Sequence, residues 1–328
     1  MIKISKQMLD RMTKKFGADV DSLVFVGGGK EESDGILYSY SSGSKEMVLK
    51  ILSIPKENAD TAFEEMEERT RFVNYLGRQG MDIAYPVKNK NNNIIETIET
   101  EEYILAAYEM NRVYGNIPQA HDFSKNFYIR YGKIIGKLHQ LSKIYPKWKG
   151  NAPDGDSKVL HWSDEWKFFY SWCQDSEVKR AWQNIKAELS SLPVTRDTFG
   201  FIHNDPHVEN IMIEKGRVVL IDFDVANFHW FMNDIAIASQ FLMFSTTGGM
   251  GAPFKDMDKL KSFYMHFMNG YETENHMDAI SLDKLELFIN YRRLLMYTIS
   301  QHWLESNPEQ KKSWKQMILN SPSLHLFN

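Results

Sequence analysis

Between Phe201 and Asp224 two short apolar runs bracket a polar loop. The order is Phe201-Ile202, then His203-Asn204-Asp205-Pro206-His207-Val208-Glu209-Asn210, then Val218-Val219-Leu220-Ile221 running into Asp222-Phe223-Asp224. Short apolar runs of this kind read as buried strands. The loop's polar side chains are therefore held at strand ends. A carboxylate and an amide oxygen suit a hard cation such as Mg2+, which prefers oxygen ligands. A second carboxylate beside a hydroxyl group can orient it and take its proton. Phosphoryl transfer needs such an assembly. On this chemistry Asp205 is the candidate catalytic base, and Asn210 and Asp222 are the candidate metal ligands.

The rest of the chain falls into two textures. Residues 3 to 16 predict a short amphipathic helix with Ile4, Met8, Leu9, Met12 and Phe16 on its apolar face. Leu23 to Val26, Ile36 to Tyr40 and Met47 to Leu52 then read as strands, separated by Gly27-Gly28-Gly29 and Ser41-Ser42-Gly43. A helix is expected from Asn58 to Leu76 with Phe63, Met66, Phe72, Val73 and Leu76 apolar. A further strand pair is expected at Ile94 to Ile98 and Tyr103 to Met110. Beyond Asn111 to Pro118 helical periodicity dominates. Phe127, Tyr131, Ile134, Ile135, Leu138 and Leu141 share one face of a long helix. Residues 146 to 157 read as a loop. Helices are expected at about 163 to 190, from Asp234, over 256 to 270 and over 283 to 304. A β-rich first third joined to a helical remainder is an α+β arrangement.

The ordered set of loop residues resembles the aminoglycoside phosphotransferase and choline kinase superfamily, nearest its type II homoserine kinase-like and stress-response kinase-like branch. Gly136-Lys137-Leu138-His139 and Trp230-Phe231-Met232-Asn233-Asp234-Ile235-Ala236 extend the resemblance, as does Met47-Val48-Leu49-Lys50-Ile51. It implies a bilobal protein kinase-like fold, with a nucleotide-binding lobe at residues 1–110 and a helical lobe at 111–328 carrying the catalytic loop and acceptor site. It implies ATP and Mg2+ as cofactors and a small-molecule hydroxyl as acceptor. It also sets Glu109, Met110 and Arg112 at the hinge that meets adenine through backbone groups. The loop departs from the commoner His-Gly-Asp form, since Asn204 stands where Gly is usual and Pro206 follows Asp205.

Lys50, on the third strand, can reach ATP phosphates as a point charge. Glu68 is chosen to hold it, with Glu65 as the next candidate. Gly27, Gly28 and Gly29 let backbone N–H groups approach phosphates, although three glycines also make an ordinary hairpin turn. His203, His207 and His139 read as supports rather than metal ligands. Asp234 reads as a helix N-cap, and the resemblance adds a role in bracing the loop. Asp224 is open among metal, substrate and backbone roles.

The segment His161 to Trp166 combines aromatic faces with carboxylates that could receive a cationic amine. Tyr264, Tyr271, Tyr291, Arg292 and Trp303 are further acceptor candidates, the arginine favouring a carboxylate. The alternative is that these aromatics pack the helical core. Gly248-Gly249-Met250-Gly251 reads either as a mobile loop or as a helix connection. Amino alcohols, amino acids and aminoglycosides all fit as acceptors. A Ser/Thr protein kinase is the alternative enzyme, but Asp234 follows Asp222 by only twelve positions, too few for a protein-kinase activation segment. A non-catalytic kinase-fold protein is the third reading, and intact Lys50, Asp205, Asn210 and Asp222 speak against it.

The chain of 328 residues carries a formal net charge of -4, which does not make a nucleic-acid footprint. No run of about 18 apolar residues is present, so no membrane span is expected. Cys173, the single cysteine, permits a cytoplasmic location and excludes an internal disulfide and CxxC metal sites.

Overall fold

The structure is a computed structural model, and it describes residues 4–29, 35–146, 160–244, 256–277 and 282–320 with positions 324 and 326. The glycine-rich stretch 248–251 and most of the expected loop at 146–157 lie outside the described residues. The chain forms two compact units, Met1–Gly115 and Asn116–Asn328.

The first unit is built on a five-stranded antiparallel sheet. Its strands are β1 (Val24–Gly28), β2 (Ile36–Ser42), β3 (Lys45–Pro55), β4 (Ile95–Glu99) and β5 (Tyr103–Asn111), in spatial order β1-β2-β3-β5-β4. Period-two alternation assigns the faces. Met47, Leu49 and Ile51 of β3 join Leu105 and Ala107 of β5 on one side. There they pack against Met12 and Phe16 of helix α1 (Lys6–Phe16). Ile54 of β3 and Ala106 and Tyr108 of β5 lie in the other cluster, with Met66 and Phe63 of helix α2 (Ala59–Arg78). Helix α1 starts where Ser5 accepts the Met8 N–H and stops at Gly17, which adopts a left-handed φ.

In the second unit, helix α3 (Lys125–Lys143) carries the apolar stripe read from the sequence, and all six residues of that stripe are buried. Helices α4 (Trp162–Trp172) and α5 (Ser176–Ser190) are separated at Asp175, which caps α5 by accepting the Glu177 and Val178 N–H groups. Two small antiparallel pairs follow: β6 (Phe199–Ile202) with β9 (Asn227–Trp230), and β7 (Ile211–Glu214) with β8 (Arg217–Leu220). Then come α6 (Phe231–Ala238), α7 (Gln240–Phe244), α8 (Met257–Tyr271), α9 (Leu285–Ile299), α10 (Gln301–Glu305) and α11 (Pro308–Asn320). The sequence reading stopped at residue 304; α11 is anchored by Trp314 and Ile318, buried one turn apart. No helix among the described residues is long and apolar enough to cross a membrane.

Helices α3 and α8 meet backbone to backbone. A Cβ on Gly132 would strike the Phe267 carbonyl, one on Gly270 the Ile129 carbonyl, and one on Gly136 would lie 2.5 Å from the Tyr271 carbonyl oxygen. The glycine of the Gly136–His139 motif is therefore a packing requirement. A methyl group inserted at Gly270 must push the two helices apart. Gly270→Ala is expected to destabilise the protein by about 1–3 kcal/mol, read as a lowered urea midpoint; an unchanged midpoint would show that the contact yields without strain.

Candidate active site

In the first unit, alternation along β3 turns Lys50 toward the face where α2 packs, and its side chain is buried, with 6% of the residue exposed. The Cβ that Gly35 lacks would sit 2.7 Å from Lys50 Cε. Gly28 has φ of 82°, and a Cβ there would strike the Gly35 carbonyl. Gly28, Gly35 and Lys50 are thus packed in series, and the first position, with its left-handed φ against a backbone carbonyl, requires glycine. Gly27 and Gly28 continue β1, opposite Leu37 and Ile36, and Gly29 follows with φ of 71°. Of the two candidate glutamates on α2, Glu68 is the more enclosed, its side chain 15% exposed against 34% for Glu65. Each meets an arginine of its own helix: Glu68 with Arg71 at 3.1 Å and Glu65 with Arg69 at 3.2 Å.

Glu109 shares the Leu105 and Ala107 face of β5, opposite to Lys50. Its buried carboxylate accepts the Tyr40 hydroxyl, and burial pushes its pKa up. Its carbonyl accepts the Val87 N–H at 2.9 Å, which leaves one lone pair. Met110 pairs with Val48 on one side and Pro86 on the other. Arg112 is engaged by Glu46 at 3.2 Å.

In the second unit, the loop from His203 to Asn210 is fixed from several directions. Asp234 of α6 is fully buried, and its two carboxylate oxygens accept the backbone N–H groups of His203 (3.0 Å) and Asn204 (2.7 Å). The expectation of an N-cap is corrected: Asp234 is the fourth residue of α6, whose N-cap is Trp230. Helix α6 is buried around its circumference, so the carboxylate is satisfied by the loop and not by water. His139 Nε2 lies 3.1 Å from the same carboxylate. An ionised carboxylate only accepts, so the proton sits on Nε2 and Nδ1 accepts the Tyr271 hydroxyl at 2.9 Å. Burial lowers the His139 pKa, consistent with a neutral ring. The Tyr131 hydroxyl donates to the Pro206 carbonyl.

Asn204 has φ of 67°, in the left-handed region that Asn tolerates best after Gly. This is why asparagine stands where glycine is usual. Its side chain then adds bonds that glycine lacks. Nδ2 donates to Glu165 and to the Val225 carbonyl (3.1 Å), and Oδ1 accepts Asn233 Nδ2 at 2.8 Å. Glu165 also accepts the Tyr291 hydroxyl at 2.6 Å and Asn227 Nδ2 at 3.2 Å. Burial pushes the Glu165 carboxyl up, against the pull of these hydrogen bonds.

The loop and the strand end that leads into Asp222 are joined by hydrogen bonds. His203 Nε2 donates to the Ile221 carbonyl at 2.9 Å, and the Ile221 N–H donates to the Asn210 carbonyl at 3.0 Å. Asp222, exposed and with φ of 63°, follows directly. Asn210 Nδ2 donates to the Asp205 carbonyl at 2.9 Å, so the Asn210 side chain is tied back onto the loop. Among the described residues no cluster of three or more His, Cys, Asp or Glu could hold a metal ion. One amide oxygen and one carboxylate instead fit Mg2+, which usually keeps waters and substrate oxygens in its shell.

Asp205 Oδ1 accepts Arg292 Nη2 at 2.6 Å, while Oδ2 lies 3.3 Å from Asn210 Nδ2 and 3.4 Å from His207 Nε2. Burial pushes the Asp205 carboxyl up, but the Arg292 guanidinium, with His207 and His203, outweighs it and holds the pKa at about 2. Arg292, one of the further acceptor candidates, directs its guanidinium at Asp205. Trp166 does not offer a free face to an amine, because Lys186 Nζ lies 3.9 Å from its ring centroid and Tyr170 stacks on it at 4.7 Å. Tyr264, Tyr271 and Tyr291 are buried in the helical core, whereas Trp303 is exposed. Sequence reasoning missed Gln240, Tyr131 and Asn233 as loop supports; their only signal was a polar group among buried apolar neighbours.

The phosphotransferase enzyme family description matches residues 32–271. The chain belongs to that family. Amicoumacin kinase of Bacillus subtilis (strain 168) is 24% identical over 309 residues, spanning 92% of this chain and 86% of that protein. A solved amicoumacin kinase in complex with AMP-PNP, Ca2+ and Ami superposes with a TM-score of 0.80 at 20% identity, over 99% of this chain and 96% of the other. A microcompartment-associated aminopropanol kinase gives 0.69 at 16% identity, over 98% and 100%. These structural likenesses carry the kinase-like α+β fold expected from the loop motif.

Removing the Asp234 carboxylate leaves two loop N–H groups and the His139 Nε2–H buried without an acceptor. Asp234→Ala is expected to lower stability by about 3–5 kcal/mol, measured by urea unfolding. A loss under about 1 kcal/mol, the size of one ordinary hydrogen bond, would contradict the bracing role.

Proposed function

We propose that this phosphotransferase moves the γ-phosphate of ATP, with Mg2+, to a hydroxyl on a small amine-bearing alcohol of the amicoumacin or aminopropanol kind. The observation that carries the reading is the gathering of Asp205, Asn210 and Asp222 on one loop and the strand end bonded to it. In this reading Lys50, supported by Glu68, holds the phosphates. Gly27, Gly28 and Gly29 supply backbone N–H groups, and the backbone at Glu109 and Met110 meets the adenine. Asn210 and Asp222 hold the cation, which neutralises phosphate charge when bound.

Asp205 orients the acceptor hydroxyl. With a pKa of about 2 it is ionised throughout the neutral range and is a weak base. That suits a loose transition state, in which the hydroxyl proton leaves late and catalysis rests on positioning. The stretch between Asp222 and Asp234 supports a small acceptor over a protein substrate. It is taken up by the turn at 224–225, strand β9 and the start of α6, with no segment left to act as an activation loop. The choice of acceptor class leans on the TM-score of 0.80 with the amicoumacin kinase.

Incubation with Mg-ATP and amicoumacin or aminopropanol should add one phosphoryl group, seen by mass spectrometry; inertness toward both would exclude this acceptor class. Asp205→Asn should keep ATP affinity while kcat falls about 10²–10⁴-fold; near-normal kcat would remove Asp205 from the chemistry. Asp222→Ala should abolish the magnesium-dependent part of ATP binding in calorimetry, and unchanged binding would count against its metal role.

A further inference from the structure

Among the described residues, the one cation bonded to the Asp205 carboxylate from outside the loop is Arg292 of α9, 7% exposed. Its guanidinium is gripped at both ends. Nε donates to Gln240 Oε1 at 2.6 Å, and Nη2 donates to Asp205 Oδ1 at 2.6 Å. Gln240 is itself buried, at the start of α7, two residues past the end of the helix that carries Asp234. The preceding residue on α9, Tyr291, bonds Glu165, which accepts Asn204. Adjacent residues of one helix thus reach adjacent residues of the catalytic loop, one directly and one through a carboxylate.

This geometry divides the two oxygens of Asp205. Oδ1 is taken by a short charge-assisted bond from a planar group that cannot give up its proton. Among the described residues, Oδ2 has the longer approaches of Asn210 and His207, at 3.3 and 3.4 Å. Resting on the phosphotransferase reading above, we propose that Arg292, aligned by Gln240, is a positioning residue. It clamps Oδ1 so that Oδ2 faces the acceptor hydroxyl. In the step it serves, the acceptor oxygen forms a bond to the γ-phosphorus and the bond from that phosphorus to the β,γ-bridging oxygen breaks. ADP leaves, and the hydroxyl proton passes to Oδ2 and then to water.

A lysine keeps the charge but is a point donor with no fork, so it cannot hold Gln240 and Asp205 in one fixed plane. The experiment compares wild type with Arg292→Ala, Arg292→Lys and Gln240→Leu. Each is assayed for Mg-ATP turnover with amicoumacin, with aminopropanol, and with water alone as acceptor. ATP affinity by calorimetry and thermal midpoints are measured beside them. Arg292→Ala and Arg292→Lys should lose about 10²-fold in kcat, as for a misplaced catalytic group, with KM for ATP within about threefold of wild type. Free guanidinium in the tens of millimolar should restore about tenfold of the loss in Arg292→Ala by the same positioning logic. Gln240→Leu should fall between wild type and Arg292→Lys.

A kcat for Arg292→Lys within about threefold of wild type, too small for loss of a positioned group, overturns the clamp. So does a loss in Arg292→Ala that guanidinium leaves unchanged and that tracks a matching loss of ATP affinity. Should Arg292→Ala fail to fold, Arg292→Lys and Gln240→Leu decide. A folded wild type inert toward all three acceptors overturns the functional reading and the clamp with it, whereas an active wild type beside an unimpaired Arg292→Lys overturns the clamp alone.

Discussion

One buried carboxylate organises the catalytic loop. Asp234 has no exposed surface, and a charge so placed is tolerable only when its oxygens are saturated. The donors are the N–H groups of His203 and Asn204 and the ring of His139. Because the carboxylate must find these partners, the loop must present them, and the direction of the chain at Asp205 follows. Behind it, Asn275 Nδ2 donates to the Tyr271 hydroxyl at 2.7 Å, which donates to His139. The polarity of that chain runs inward to the carboxylate without a reversed donor.

The loop residues are polar on both sides, and the surrounding core is aromatic. Phe201 packs on Phe228 at 4.8 Å, His203 lies over Phe223 at 4.2 Å, and Trp162 meets Trp230 at 5.0 Å. Such a core excludes water from the hydrogen bonds that set the loop, so each is worth more than it would be at the surface. This is why the acceptor candidates drawn from aromatic composition resolved into packing at Trp162, Trp166, Tyr264, Tyr271 and Tyr291, with Trp303 alone among the named rings left exposed.

What was legible in the sequence was what lies close along the chain. Asp205 and Asn210 fall between two short apolar runs and Asp222 directly follows the second, and the stripe on α3 repeats every turn. The strand alternation that turns Lys50 one way and Glu109 the other follows from counting by twos. What was not legible came from distant pairings. Arg292 and Asp205 stand 87 positions apart, and nothing in the local pattern of α9 marks which of its polar residues reaches the loop. Asp234 was read as a cap because an acid before an apolar run usually is one. That rule fails where a whole helix is buried and its acid serves another segment. Helix α11 escaped because only Trp314 and Ile318 are buried along it, too few to make a stripe.

The hairpin of β7 and β8 sets a length. It begins at Ile211, directly after Asn210, and ends at Leu220, two residues before Asp222, with Ile211 opposite Leu220. Its turn is two residues, Lys215 and Gly216, both with positive φ, the tightest reversal the ladder allows. The separation of Asn210 and Asp222 along the chain is therefore written as a residue count in the hairpin between them. An insertion at the hairpin tip would act like a misset caliper: every contact near the loop could survive while Asn210 and Asp222 no longer stood at the same spacing.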